Sequence, residues 1–168
     1  MLSLDGPPSE RSGLMMFRIT QVLRYFVTTY PYPEDLSRST LQRLVYLVDW
    51  EAARTLGAPM TRVRWVLNRY GPTSATVWSA MHHDQMLAIV SPSHSIYTVP
   101  VVRWQGPSDY RPRLAPSHRT ILDAVIQHTQ DLTHSGLVAL VYHTDSVATS
   151  LQSTLLPLRR LAHNLKSG

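Results

Sequence analysis

The sequence predicts an α+β fold: one mainly α-helical domain with a small β-hairpin inserted near its middle. Three observations predict it. Apolar residues recur at helical spacing in six segments of the 168-residue chain. Twelve prolines cut the chain into short elements with abrupt ends. Two short apolar runs in the middle flank a Ser-Pro turn, the pattern of a hairpin. The expected organisation is a flexible leader over 1–13 and a single domain over 14–168.

Taken in order, the first helix should run from Leu14 to Tyr30. Ile19, Val22, Leu23, Phe26 and Tyr30 share one face, and Pro31 and Pro33 stop the helix. A second helix should run from Arg38 to Leu56, with Ser37 or Ser39 as its cap and Gly57 with Pro59 at its end. Its core stripe is Leu41, Leu44, Val45, Val48 and Ala52. Thr61 to Tyr70 alternates loosely and reads as a short strand or extended segment, broken by Gly71-Pro72. Thr73 or Ser74 caps a third helix over about Ala75 to His83. Met86 to Val90 and Ile96 to Val102 are the hairpin strands, joined through Ser91-Pro92-Ser93-His94. After a Pro-rich loop from Gly106 to Pro116, Ser117 caps a fourth helix carrying Ile121, Leu122, Val125 and Ile126. Thr133 or Ser135 opens a fifth with Leu137, Leu140 and Val141, and Pro157 suits the first turn of a last helix with Leu158, Leu161 and Leu165. No internal repeat is visible.

Composition narrows the function classes. There is no cysteine, which excludes disulfides and thiolate metal sites. No apolar run approaches the roughly 18 to 20 residues that span a bilayer, and the N-terminus lacks the basic start and apolar stretch of a signal peptide. A cytoplasmic protein with no membrane partner is the expectation. Net charge is +5, and fifteen of the sixteen basic residues are Arg. A GC-rich genome explains that bias as well as a need for bidentate contacts to carboxylates or phosphates does.

The second helix carries an unusual far side. With Leu41 at zero and about 100 degrees per residue, Tyr46 and Trp50 fall near ~140 and ~180 degrees, with Arg43 and Arg54 near ~200 and ~220. Tyr, Trp and Arg are the residues enriched at binding hot spots. Either this face packs into a second layer of core, or it meets a partner. The stretch from Ala52 to His83 adds Trp65, Arg69 and Tyr70, and holds Arg54, Arg62 and Arg64 with no Asp or Glu. Such a strip docks an acidic protein or stacks on bases, unless its tryptophans turn inward.

Reactive constellations are sparse. The eight histidines include the neighbours His82 and His83, which diverge by about 100 degrees on a helix and share no metal easily. No H-E-x-x-H, G-x-S-x-G, P-loop or dinucleotide glycine motif is present. We expect no enzyme, no cofactor and no metal. His143 beside Asp145 suits a helix-end hydrogen bond. DNA binding is the rival class. Helices four and five resemble a helix-turn-helix, yet Gln127 to Val147 holds no Arg or Lys to grip phosphates. The tail with Arg159, Arg160, His163 and Lys166 is better placed to touch a backbone.

The residues also resemble a known family. Leu41-Gln42-Arg43-Leu44-Val45-Tyr46-Leu47-Val48-Asp49 is similar to the "LqKLlYyad" helix of the SocA-like, or Panacea, antitoxin domain. Gly57-Ala58-Pro59-Met60 resembles its "G-x-P-L" turn, and Trp65 through Arg69-Tyr70-Gly71-Pro72 its "w-x-a-x-x-yGPv" segment. Tyr25-Phe26 matches the "YF" of its first helix, and Leu140 to Asp145 its closing helix end. Arg43 stands where Lys is usual, and Ser146-Val147 where Pro-Trp often follows the closing His. The resemblance implies an antitoxin that neutralises a cognate protein toxin by direct contact, often phage or prophage encoded. The founding member also delivers its toxin to a protease. On this reading Arg43, Tyr46, Trp50 and Arg54 are the first candidates for toxin contact, and Trp65, Arg69 and Tyr70 the second. A DNA-binding autoregulator and a proteolytic adaptor are the alternatives.

Overall fold

A computed structural model describes residues 8–91 and 99–167. Within them lie seven α-helices: α1 Pro8–Thr29, α2 Arg38–Leu56, α3 Ala75–His83, α4 Pro116–Thr129, α5 His134–Tyr142, α6 Asp145–Ala148 and α7 Leu158–Lys166. Five short strands join them: β1 Val66–Asn68, β2 Gly71–Thr73, β3 Leu87–Val90, β4 Val101–Trp104 and β5 Thr154–Leu155. The mainly helical α+β architecture with a small hairpin is the one the sequence predicts.

Helix α2 is the axis of the domain. Ser37 caps it in extended backbone, its hydroxyl accepting from the Thr40 N–H at 3.1 Å. Gly57 ends it at φ 81, a conformation that costs an L side chain about 1 kcal/mol or more. From Thr40 to Ala53 every side chain except Arg43 and Glu51 is buried, because α1, α3, α4, α5, α7 and β2 all pack on the helix. The far side is therefore core as well: Tyr46 and Trp50 are enclosed like Leu41 and Leu44. Burying a large apolar side chain contributes on the order of 3 kcal/mol, and the free chain takes that gain from its own later helices.

Several boundaries differ from the sequence reading. Helix α1 begins at Pro8, six residues before Leu14. Its opening turns are exposed and polar, so apolar spacing has no signal there, while proline suits a helix start. Residues 1–7 lie outside the described ones. The extended stretch from Thr61 condenses to β1, and Gly71-Pro72 continues as β2 instead of breaking the structure. Gly71 makes the reversal at φ 103, and Pro72 is tolerated because β2 is an edge strand in the order β2-β1-β5. The second hairpin strand starts after Pro100, which has no N–H for the ladder, and pairs Val90 with Val101 through Leu87 with Trp104. The Ser91 to His94 turn and the Ile96 start fall almost wholly outside the described residues. Helix α4 is preceded by Ala115 with Pro116 in its first turn, not capped by Ser117. Thr133 does cap α5, accepting from the Gly136 N–H at 3.1 Å.

Two polar devices bind the layers. The β3–β4 hairpin is stitched to the turn before α2 by the Val102 N–H donating to the Leu36 carbonyl at 2.8 Å. Arg24 on α1 grips Asp84 beyond α3 bidentately, at 2.7 and 2.8 Å, and donates to the Tyr110 hydroxyl at 3.0 Å. Hydrogen bonding to Asp84 holds the Arg24 guanidinium above its ordinary pKa.

Candidate binding surface

The seven sequence-marked residues divide among different places. Tyr46 and Trp65 meet edge to face inside the core, with ring centroids 5.6 Å apart. The Tyr46 hydroxyl lies 2.6 Å from the Thr144 hydroxyl and against that of Ser146. Thr144 spends its own hydrogen on the Val141 carbonyl at 2.7 Å, so Tyr46 donates to Thr144 and accepts from Ser146. Trp65 donates its indole N–H to Asp49 at 2.8 Å. Trp50 is 3% exposed and lines the inner wall of two clefts. All three aromatics are buried parts of the scaffold.

The other four are accessible to different degrees. Arg43 is half-buried, and one of its guanidinium nitrogens, Nη1, is enclosed with no hydrogen-bond partner. Burial pulls its pKa below the ordinary value, and the nearby Tyr142 pulls the other way. Arg54 is exposed and meets Glu51 at 3.3 Å, a surface pair worth little. Arg69 stacks over Tyr70 at 4.7 Å at the tip of the β1–β2 turn, where Tyr70 is 63% exposed. The Tyr142 hydroxyl donates to the Arg69 carbonyl at 3.1 Å and holds that tip against α5.

Two of the concave surfaces beside α2 are large. A groove of about 840 Å³ runs between the α2 C-terminus with the following loop and α7. Its floor is apolar, from the buried Ala53, Val63, Trp65, Leu156, Leu158 and Ala162. Its rim carries Arg62, Arg64, Arg159, Arg160, His163 and Lys166, all exposed, and no Asp or Glu lines it. Sequence reasoning saw the two basic stretches separately. It missed that β5 pairs with β1 and brings them to one groove, since a two-residue strand leaves no periodicity to read.

The groove edge is set by the core. Asp49 is fully buried and accepts from the Thr61 N–H at 2.7 Å and the Thr61 hydroxyl at 2.5 Å. Burial pushes its carboxyl above the usual carboxylate range, and the bonds from Thr61 and Trp65 oppose that shift. The pinned Thr61 leads into Arg62 at φ 59, a left-handed conformation that costs a non-glycine residue about 1 to 2 kcal/mol. Burial, with the charge of Arg62 added, lowers the pKa of Arg18 on α1.

A second cleft of about 510 Å³ lies between α2, α4 and α5, with Trp50, Arg54, Glu51, His128, His143 and Asp145 on its walls. The ring nitrogen Nδ1 of His143 sits 2.7 Å from the Ala139 carbonyl, a bond within its own helix end. Among the described residues no three His, Cys, Asp or Glu stand close enough to hold a metal ion, and no helix is long and apolar enough to cross a membrane.

Neither a curated protein nor a solved structure matches the chain. A family model does: Antitoxin SocA-like, Panacea domain, over residues 41–146, more than half of the chain. The matched stretch runs from the start of the central helix to Ser146, the serine that closes on the Tyr46 hydroxyl. The chain is thus a member of the SocA-like antitoxin family, with a Panacea domain as its body.

Proposed function

We propose that this protein is the antitoxin of a type II toxin-antitoxin pair and silences a cognate protein toxin by holding it in a stoichiometric complex. The observation that carries the reading is the family membership over residues 41–146, which hold most of the central helix together with α3, α4 and α5. In support, the molecule has the features of a binding scaffold: a core closed by internal hydrogen bonds, and open clefts beside it. Toxicity then falls by mass action as complex forms, without turnover. Arg54, Arg69 and Tyr70 are the accessible members of the sequence-marked set and are proposed as toxin contacts. Arg43, intermediate in exposure, is proposed as a fourth contact. Tyr46, Trp50 and Trp65 contribute by holding that surface in shape.

The test is co-expression with each open reading frame adjacent to the gene, scored for a toxic one, followed by pull-down and mass spectrometry. Restored growth together with recovery of that toxin supports the proposal. A poisoned culture that stays poisoned while the antitoxin is soluble and abundant contradicts it.

A further inference from the structure

We infer that the groove between the α2 C-terminus and α7 receives an acidic segment of the toxin that carries an apolar stripe, an inference that rests on the antitoxin reading. Two properties of the groove select this occupant. Its floor is apolar, and Leu155 on β5, 48% exposed, extends it to the surface. Apolar floors of this kind gain affinity when Leu, Ile or Phe side chains displace water from them. Its rim is cationic throughout, from Arg62 and Arg64 on one wall and Arg159, Arg160 and Lys166 on the other. With no carboxylate in the lining to neutralise them, these charges repel one another until a negative partner arrives. Arg18 adds to the same crowding beside Arg62.

Nucleic acid satisfies the rim but not the floor. Single strands bind by stacking bases on open aromatic faces, and Trp65, the one Trp, Tyr or Phe of the lining, is 2% exposed, which leaves a base no more than the single imidazole of His163 to stack on. A small anionic molecule would leave most of the apolar floor wet. A protein segment with Glu or Asp on one side and large apolar residues on the other covers both. One wall of the groove, from Leu155 to Lys166, also lies beyond the stretch that matches the family. The family scaffold thus supplies half of the dock, and this chain's own tail completes it and sets which toxin fits.

The test uses the full-length protein and a short fluorescent helical peptide with a Leu stripe and a Glu face. Two controls are the same peptide with a Lys face and single-stranded oligo-dT. Anisotropy should show saturable binding of the Glu peptide alone, weakened about tenfold or more by Arg159→Glu with Arg160→Glu. Leu155→Ser should weaken it about threefold or more. All three positions are exposed, so circular dichroism should match the parent. No binding, binding indifferent to these variants, or tighter binding of oligo-dT with loss only in the arginine variant overturns the inference. The variant is then co-expressed with the neighbouring toxin. Rescue equal to the parent sinks the groove assignment and leaves the antitoxin reading standing. Failure of parent and variant alike sinks the antitoxin reading, while the peptide result still decides the groove.

Discussion

A carboxylate sealed from water must be held by donors, and Asp49 has three contacts from Thr61 and Trp65 within 2.8 Å. Asp49→Asn keeps the shape but turns one acceptor oxygen into a donor. Either the Thr61 N–H or the Trp65 N–H then faces an NH₂ group. We expect a loss of about 1 to 3 kcal/mol in urea unfolding at neutral pH. Tyr25 makes a pH prediction. Burial first, and then its 2.5 Å hydrogen bond to Asp123, push its hydroxyl up from 10.0 to about 12. A folded-state pKa raised in this way means the contribution to stability is full below pH 10 and is lost as pH rises through about 12. Tyr25→Phe should therefore flatten the fall of the unfolding midpoint over that interval; an unchanged fall would show that other groups drive it.

At the scale of elements, α2 decides whether the rest assembles. Gly57→Ala places a methyl group at φ 81 and should lower stability by about 1 kcal/mol, read from the urea midpoint. Tyr46→Ala combined with Trp50→Ala should abolish the cooperative thermal transition. Each truncation of a buried aromatic costs about 3 to 5 kcal/mol, and together they approach the whole stability of a domain of this size. A folded double variant would mean that these rings do not carry the core. Why some elements were legible follows from the same physics. Helices α2, α4 and α5 carry apolar repeats, and α2 and α5 have Ser or Thr at the cap, so spacing and capping chemistry reveal them. The first turns of α1 are polar and exposed, β5 has two residues and α6 four, and such pieces are defined by what they pack against rather than by a pattern of their own.

At the scale of the molecule, the residues that carry the family resemblance turn out to be its internal fastenings. Tyr46 of the central helix closes on Thr144 and Ser146 at the end of the matched stretch. Asp49 of the same helix ties down the turn after Gly57, and Gly71 of the Tyr-Gly-Pro segment makes the β1–β2 reversal at φ 103, a conformation that L side chains rarely adopt. This explains why helical geometry alone suggested a binding face on α2. Tyr and Trp opposite a core stripe serve equally at an interface and in a helix buried all round, and only the later helices that cover them distinguish the two. The accessible candidates, Arg54, Arg69 and Tyr70, were legible because arginine and a turn-tip tyrosine rarely go inside. The groove was not, since its walls come from segments about a hundred residues apart.

Inhibition by occupancy is stoichiometric and therefore has a direct signature. The most direct measurement is a titration of the purified neighbouring toxin, at a concentration far above the dissociation constant, against this protein while toxin activity is followed. We predict a linear fall to zero at a fixed whole-number ratio, matching the composition of the complex by light scattering. Complete inactivation by a small fraction of an equivalent would contradict it, because that requires turnover, and so would full toxin activity in the presence of excess protein.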